Sequence, residues 1–485
     1  MGFECVGGSV FRVMSSGGLS GWAGGLTVGA IACLAWPAAT LPARGESLES
    51  ALMQAYQNNP TLNSQRASLR ATDEGVPQAL SGYRPRITAT STLGEQYWDT
   101  ASKTGATPTA TYQKQSGTMT PNSYGITTTQ TIFNGFQTAN RTRQAEAQVL
   151  AARSTLRVTE QTVLLSAVTA YMNLLRDSAI FDLQKRNVEV LQEQLRQTRD
   201  RFNVGEVTRT DVAQSESRLA AGRSQVLTAE SNYKASGATY RQVIGSNPGK
   251  LTPGTPVDRF SPPSLPVAVN FASATHPAVT TAQYNVDVAQ SQVKVAEGSL
   301  YPTLSVQGNV QQSNESSLTS LKTFNAAVLG TLSVPIYQGG AEYSLIRQAK
   351  ETFGQKRLDL DTARDQVRQS VVQSWGQLEA AKANIDATTA QVQAAEIALN
   401  GVREEARVGQ RTTLDVLNAQ QELVNARVAL VTAQRDRVVA SYALLSAVGR
   451  LAPQVLGLNV PIYNAQEHYQ QVRDSWTGVR TPSGR

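Results

Sequence analysis

Val204-Gly205-Glu206-Val207-Thr208-Arg209-Thr210-Asp211-Val212 returns as Val408-Gly409-Gln410-Arg411-Thr412-Thr413-Leu414-Asp415-Val416. The offset is 204 residues (408 − 204), and it holds without a gap to Ile244-Gly245 against Val448-Gly449. It also holds upstream, where Ile132-Phe133-Asn134-Gly135 faces Ile336-Tyr337-Gln338-Gly339. A repeat this long is a duplicated structural unit, not a stack of small solenoid repeats. The chain therefore divides into repeat 1, residues 46–245, a proline-rich linker, 246–267, repeat 2, 268–449, and a tail, 450–485.

Each copy opens with a helix. Ser47 to about Leu80 carries apolar residues at helical spacing, interrupted at Asn59-Pro60; Val269 to about Leu300 does the same, with His276-Pro277 at the matching place. Tyr83-Arg84-Pro85 and Tyr301-Pro302 stop these helices, because proline disfavours helical geometry in the residue before it. The period then changes to two: Ile87, Ala89, Ser91 and Leu93 alternate with threonines and glycine, and Leu304, Val306, Gly308 and Val310 alternate with Ser305, Gln307, Asn309 and Gln311. This is strand spacing. Return strands follow near 124–133 and 326–337, giving hairpins over 86–133 and 303–337. Thr100–Asn122 and Ser313–Thr323, rich in Thr, Ser, Gly and Lys, read as exposed loops. Strands of roughly ten residues can cross a bilayer, but open sheet edges cannot sit in lipid, and the smallest membrane barrels need about eight strands. Four strands per chain thus require oligomerisation if they span a membrane.

A long helical hairpin follows in each copy, over 138–245 and 342–449. Thr138 to Phe202 holds neither proline nor glycine and, as one helix, reaches roughly 100 Å. The return helices carry heptads: Val212, Leu219, Val226, Tyr233, Tyr240 and Leu417, Val424, Val431, Val438, Leu445. Adjacent second stripes at Val416, Leu423, Leu430 and Leu444 mean helix contacts on two sides. An ordinary antiparallel bundle would explain the heptads equally well.

The N-terminal stretch to residue 43 reads as a secretory signal: Arg12 precedes an apolar run from Trp22 to Ala39, followed by Pro42-Ala43. Both cysteines, Cys5 and Cys33, lie there, so the mature chain is expected to hold no thiol and no disulfide. The net charge of +7 is spread as alternating signs along helices, which reads as solvated faces and not a nucleic-acid surface. No catalytic constellation is visible, and no cofactor or metal site is expected. His276 beside a proline reads as a helix cap and His468 as a solvated tail residue, and there is no phosphate-cradling loop, HExxH or GxSxG. The remaining chemistry is at the tips. Thr208 with Asp211, and Thr412 with Asp415, suit helix N-termini, where they satisfy free N–H groups. Carboxylates gathered into a ring on a symmetry axis would also favour cations.

With an exported chain, duplicated strand and helix hairpins and Val-Gly-x-x-Thr-x-x-Asp-Val tips, the sequence resembles the TolC family of outer membrane efflux and secretion channels. Val408 to Gln420, Tyr301-Pro302 and Val334-Pro335-Ile336-Tyr337-Gln338-Gly339-Gly340 are especially similar, and the resemblance spans roughly 46–450. The tail from Glu467 to Trp476 resembles the type I secretion branch. The resemblance implies a mixed α and β membrane protein: a homotrimeric 12-strand outer membrane barrel continuous with a periplasmic helical tunnel in a Gram-negative cell. It would be a passive exit duct, joined by a periplasmic adaptor to an inner membrane ABC or RND transporter, with outer membrane lipid around it and no nucleic acid. Carried over, the gate is Asp415 with Asn418, the inter-repeat link is Asp211 with Arg411, and the adaptor docks on Val204, Gly205, Thr208, Asp211, Val408, Gly409, Thr412 and Asp415. The chain departs from the enteric pattern at Asn418, an aspartate there, and at Ala406, a tyrosine there. The competing class is a non-channel coiled-coil scaffold of the periplasm or surface.

Overall fold

The computed structural model of the chain describes residues 46–105, 110–317 and 320–482. The expected signal segment with Cys5 and Cys33, and residues 483–485 of the tail, lie outside the described residues.

Repeat 1 begins with α1 (Leu48–Asn58), α2 (Pro60–Asp73) and α3 (Gly75–Leu80). The break between α1 and α2 is chemical: Asn59 Oδ1 accepts from Thr61 N at 2.9 Å and Leu62 N at 3.2 Å, while Pro60 takes a first-turn position where no N–H is needed. Strands β1 (Arg86–Leu93), β2 (Gln96–Thr104), β3 (Thr111–Met119) and β4 (Asn122–Asn134) follow, then α4 (Gln137–Asn203) and α5 (Arg209–Ile244). Repeat 2 runs α6 (Leu265–Thr275), α7 (Pro277–Glu297), β5 (Thr303–Ser317), β6 (Ser320–Ser333), α8 (Ala341–Arg407) and α9 (Thr413–Ala447). The tail holds α10 (Pro453–Leu456) and α11 (Ala465–Val472).

Three expectations are corrected. The segment 100–122 is not a loop: β2 and β3 pair antiparallel from Gln96↔Met119 to Thr104↔Thr111. Glu315 Oε2 accepts from Thr120 N at 2.9 Å and ties the base of this hairpin to the end of β5. Likewise most of 313–323 extends β5 and β6, whose pairing reaches Ser317↔Ser320. The linker is shorter than expected, because α6 starts at Leu265 with Pro266 in its first turn. His468 is not a solvated tail residue: its side chain is 11% exposed, and its Nδ1 lies 3.1 Å from Asp73 Oδ2. In the tail α11 packs on α2, and Arg84 donates to the Ser475 carbonyl at 2.6 Å. His276 caps α7 through Nδ1, accepting from Ala278 N at 3.1 Å.

The four main strands form one antiparallel sheet in the order β1-β4-β5-β6, which leaves β1 and β6 as edges. Its register gathers most of the large apolar side chains on one face, with Leu329 on the other and Gln312 and Lys322 among the apolar ones. Ile87, Ala89 and Leu93 share a face with Tyr124, Ile126, Val310, Phe324, Val328 and Leu332; Thr88, Thr90 and Thr92 share the other with Thr127, Thr129, Gln307, Asn309, Gln311, Asn325 and Thr331. The apolar face is uncovered: Ile87, Phe324 and Val328 are 68%, 66% and 79% exposed.

Below the sheet, α4 and α8 are single helices of 67 residues each, about 100 Å at 1.5 Å per residue. Each pairs with its own return helix, and α4 also packs on α7 and α9. The largest core gathers α1, α2, α4, α5 and α9 around Tyr56, Leu62, Leu164, Tyr171, Tyr240 and Leu445. The Tyr171 hydroxyl sits 2.8 Å from the Glu46 carbonyl and 2.6 Å from that of Thr252, so the start of repeat 1 and the linker are fixed to the middle of α4. Where sheet meets helix, Gly135 at φ +64° comes so close to Gly298 that an added Cβ would stand 2.3 Å from its carbonyl oxygen; only glycine fits this junction between repeats.

Candidate functional site: the paired helical tips

Both long helices end the same way. After Val204 and Val408 come glycines with φ +77° and +78°. The next N–H groups, of Glu206 and Gln410, reach back to the carbonyls of Arg201 and Glu405 at 2.9 Å, closing the last turn. Thr208 and Thr412 then cap the return helices. Asp211 Oδ2 accepts from Thr208 N at 2.9 Å and from its hydroxyl at 2.7 Å, while the Thr208 hydroxyl faces Asp211 N at 3.3 Å. The Thr412–Asp415 box repeats this at 3.0, 2.9 and 3.2 Å. Such a reciprocal cap satisfies two otherwise free N–H groups. Hydrogen bonds from Thr412 hold the Asp415 carboxyl below the usual carboxylate range, so it is ionised at neutral pH. Val204, Gly205, Thr208, Val408, Gly409 and Thr412 are exposed.

The turns are braced by ion pairs of reversed polarity. In repeat 1, Arg201 reaches Glu206 at 2.7 Å; in repeat 2, Glu405, at the position of Arg201, receives Arg411 at 2.8 Å. Within one protomer Arg411 is therefore engaged by Glu405, and Asp211 by its cap; the two are not brought together. Sequence reasoning missed Glu405 and Arg201, although the offset places a cation against an anion at one position. It also missed Arg218 of α5, whose Nη2 donates to Asn418 Oδ1 of α9 at 2.6 Å. One step away, Gln420 Oε1 accepts from Arg403 at 3.0 Å, and its Nε2 faces Asn187 of α4 at 3.4 Å. Beside these tips, Glu193, Arg201, Arg403, Ala406 and Arg407 help line a groove of 540 Å3 between α4 and the α8–α9 hairpin.

Nothing in this arrangement is built for bond chemistry; it is a set of capped, charged hairpin ends. Among the described residues no group of His, Cys, Asp and Glu could hold a metal ion, and no helix is long and apolar enough to cross a membrane. A model of the outer membrane efflux protein family matches residues 51–246 and 268–450, the two repeats. The chain belongs to the outer membrane efflux protein family.

This family member is 44% identical over 444 residues to the outer membrane efflux protein BepC of Brucella suis, covering 91% of this chain and 94% of that one. It is 28% identical over 434 residues to the outer membrane protein TolC of Escherichia coli, covering 86% and 85% of the two. Its fold superimposes on the outer membrane channel CmeC of Campylobacter jejuni with a TM-score of 0.72 at 16% identity, over 88% and 89% of the two chains. The efflux protein is thus an outer membrane channel component and not an enzyme, and the scaffold alternative falls.

Proposed function

We propose that three copies of this chain close into a passive exit duct that crosses the outer membrane and opens at its periplasmic tips. The observation that carries this is the four-strand sheet with one apolar and one polar face and two unpaired edges. An open edge is untenable in lipid. Joining β6 of one copy to β1 of the next removes every edge, and three copies supply 12 strands (3 × 4). The apolar face then meets lipid and the threonine- and glutamine-rich face lines a wet lumen. The helices repeat the logic: α4 is covered on both sides, whereas α8 leaves much of its length bare, as a helix does when its neighbour belongs to another copy.

At the far end the six hairpin tips, two per chain, draw together. Ionised Asp415 gives the opening a cation preference. Exposed Val-Gly-x-x-Thr turns suit docking of a periplasmic adaptor that couples the duct to an inner membrane ABC or RND transporter, which selects the cargo. Arg411 and Asp211, not joined within a protomer, are placed on separate tips that closure would bring side by side. The test is direct. The outer membrane fraction should yield heat-modifiable trimers that give single-channel conductance in planar bilayers. A monomer recovered from the soluble periplasm would end the reading.

A further inference from the structure

Near the tips, Arg218 of α5, like Arg209, closes no ion pair with an acid among the described residues of its own chain. The nearby acids are taken: Glu216 pairs with Arg199 at 2.5 Å and Asp211 closes its cap. Arg218 turns instead to a neutral amide on the other hairpin, Asn418 Oδ1, at 2.6 Å. Apart from the longer Gln420 Nε2–Asn187 Oδ1 hydrogen bond of 3.4 Å, the rest of the contact there is non-directional: Leu191, Leu195, Leu219 and Leu417 form a small buried cluster joining α4, α5 and α9. Apolar surfaces of this kind slide at little cost, whereas a guanidinium–amide bond has a fixed length and direction.

We propose that Arg218–Asn418 is a latch that holds the α8–α9 hairpin against α4–α5 in the closed tip, and that Arg218 sets the charge of the opening one turn above Asp415. This rests on the channel reading of the preceding section. Widening the tip requires α9 to move against α5, and Asn418 is where that motion first meets a directional bond. The internal repeat sharpens the charge argument. Shifted by 204, Arg218 becomes Glu422 and Asn418 becomes Gln214. At the matching junction between two chains, the side chain crossing from helix to helix is therefore an anion. Around a ring of three copies, arginine and glutamate alternate at one level, and Arg218 offsets Glu422 instead of adding to the acidic ring of Asp415. Arg218 is thus a positioning and selectivity residue: it acts on α9 through Asn418 and on passing ions through its charge.

The experiment uses full-length trimers in planar bilayers. Arg218→Gln and Asn418→Ala should each raise closed-state conductance by roughly two- to fivefold, the range for one exposed polar link. The double variant should match the singles, because both remove the same bond. Only Arg218→Gln should shift the reversal potential toward cations, a readout that mere loosening would not move. Heat stability of the trimer should stay unchanged in all three. Conducting wild-type trimers whose variants conduct like wild type, or whose effects simply add, overturn the latch. Equal selectivity in Arg218→Gln and wild type overturns the charge role. Wild-type trimers that never conduct would instead overturn the channel reading itself.

Discussion

Helices α4 and α8 are twins of 67 residues at matching places in the two repeats, yet α4 buries 23 of its residues and α8 only nine. Period and length do not explain this. Position does: α4 lies between helices of both repeats, its own α1, α2, α3 and α5 and the other repeat's α7 and α9, while α8 packs on α6, α7 and α9 of its own repeat. The same contrast recurs in the sheet, where β4 and β5 are paired on both sides and β1 and β6 on one. A duplicated unit repeats its surfaces, so what one copy covers within the chain the other must find covered by another chain. The two repeats differ at single residues as well. Arg199–Glu216 in repeat 1 becomes Arg403–Gln420 in repeat 2; Glu216 is exposed, whereas Gln420 is 7% exposed and turned toward Asn187. A carboxylate at the covered position would have to shed its water, and an amide does not pay that cost.

Core substitutions test the contrast most strongly. Leu164→Ala on α4, at 0% exposure, should destabilise the protein by about 2–5 kcal/mol in thermal unfolding of the detergent-solubilised chain. Val372→Asp on α8, at 47% exposure, should leave the helical content by circular dichroism intact but reduce recovery of trimers. Trimers at wild-type yield would mean that this stretch of α8 is not covered by another copy.

A charge swap comes next. Gln420→Glu should cost about 1–3 kcal/mol at neutral pH, and Glu216→Gln under about 0.5 kcal/mol. Equal losses for the two variants would break the covered-versus-open assignment.

Asp415→Ala should lower cation preference and divalent-cation block in planar bilayers, and an unchanged reversal potential would remove Asp415 from the gate. Asp211→Ala or Arg411→Ala should raise closed-state conductance; if neither does, the two tips are not linked through these residues.

The smallest effects belong to the caps, where the repeats are alike. Thr208→Ala and Thr412→Ala should each cost about 1 kcal/mol by equilibrium unfolding. Asp415 is held below the usual carboxylate range, so its share of the cap is present above that range and lost as pH falls through the lowered value. Protection of the Thr412 amide, relative to its intrinsic exchange rate at each pH, should therefore fall on acidification to that point and show no such step near neutrality.

Much of this was legible in the chain because the signals are periodic. The prolines at 60, 85, 277 and 302, the strand alternation at Ile87–Leu93 and the tip motifs all report local geometry. The hairpin of β2 and β3 was not legible, since neither strand buries a face and so neither shows an apolar alternation. The tail helix was missed for a different reason. Its short run, Ala465–Val472, is fixed by distant partners, His468 by Asp73 and Tyr469 by Arg153.

The duplication, the two rods, the four main strands and the capped tips are written in the amino-acid sequence, because backbone propensity and period act over a few residues. Packing settled which face of each rod is covered and that Arg218 reaches Asn418. Those outcomes depend on where two helices 200 residues apart (418 − 218) come to lie, and no local pattern carries that distance.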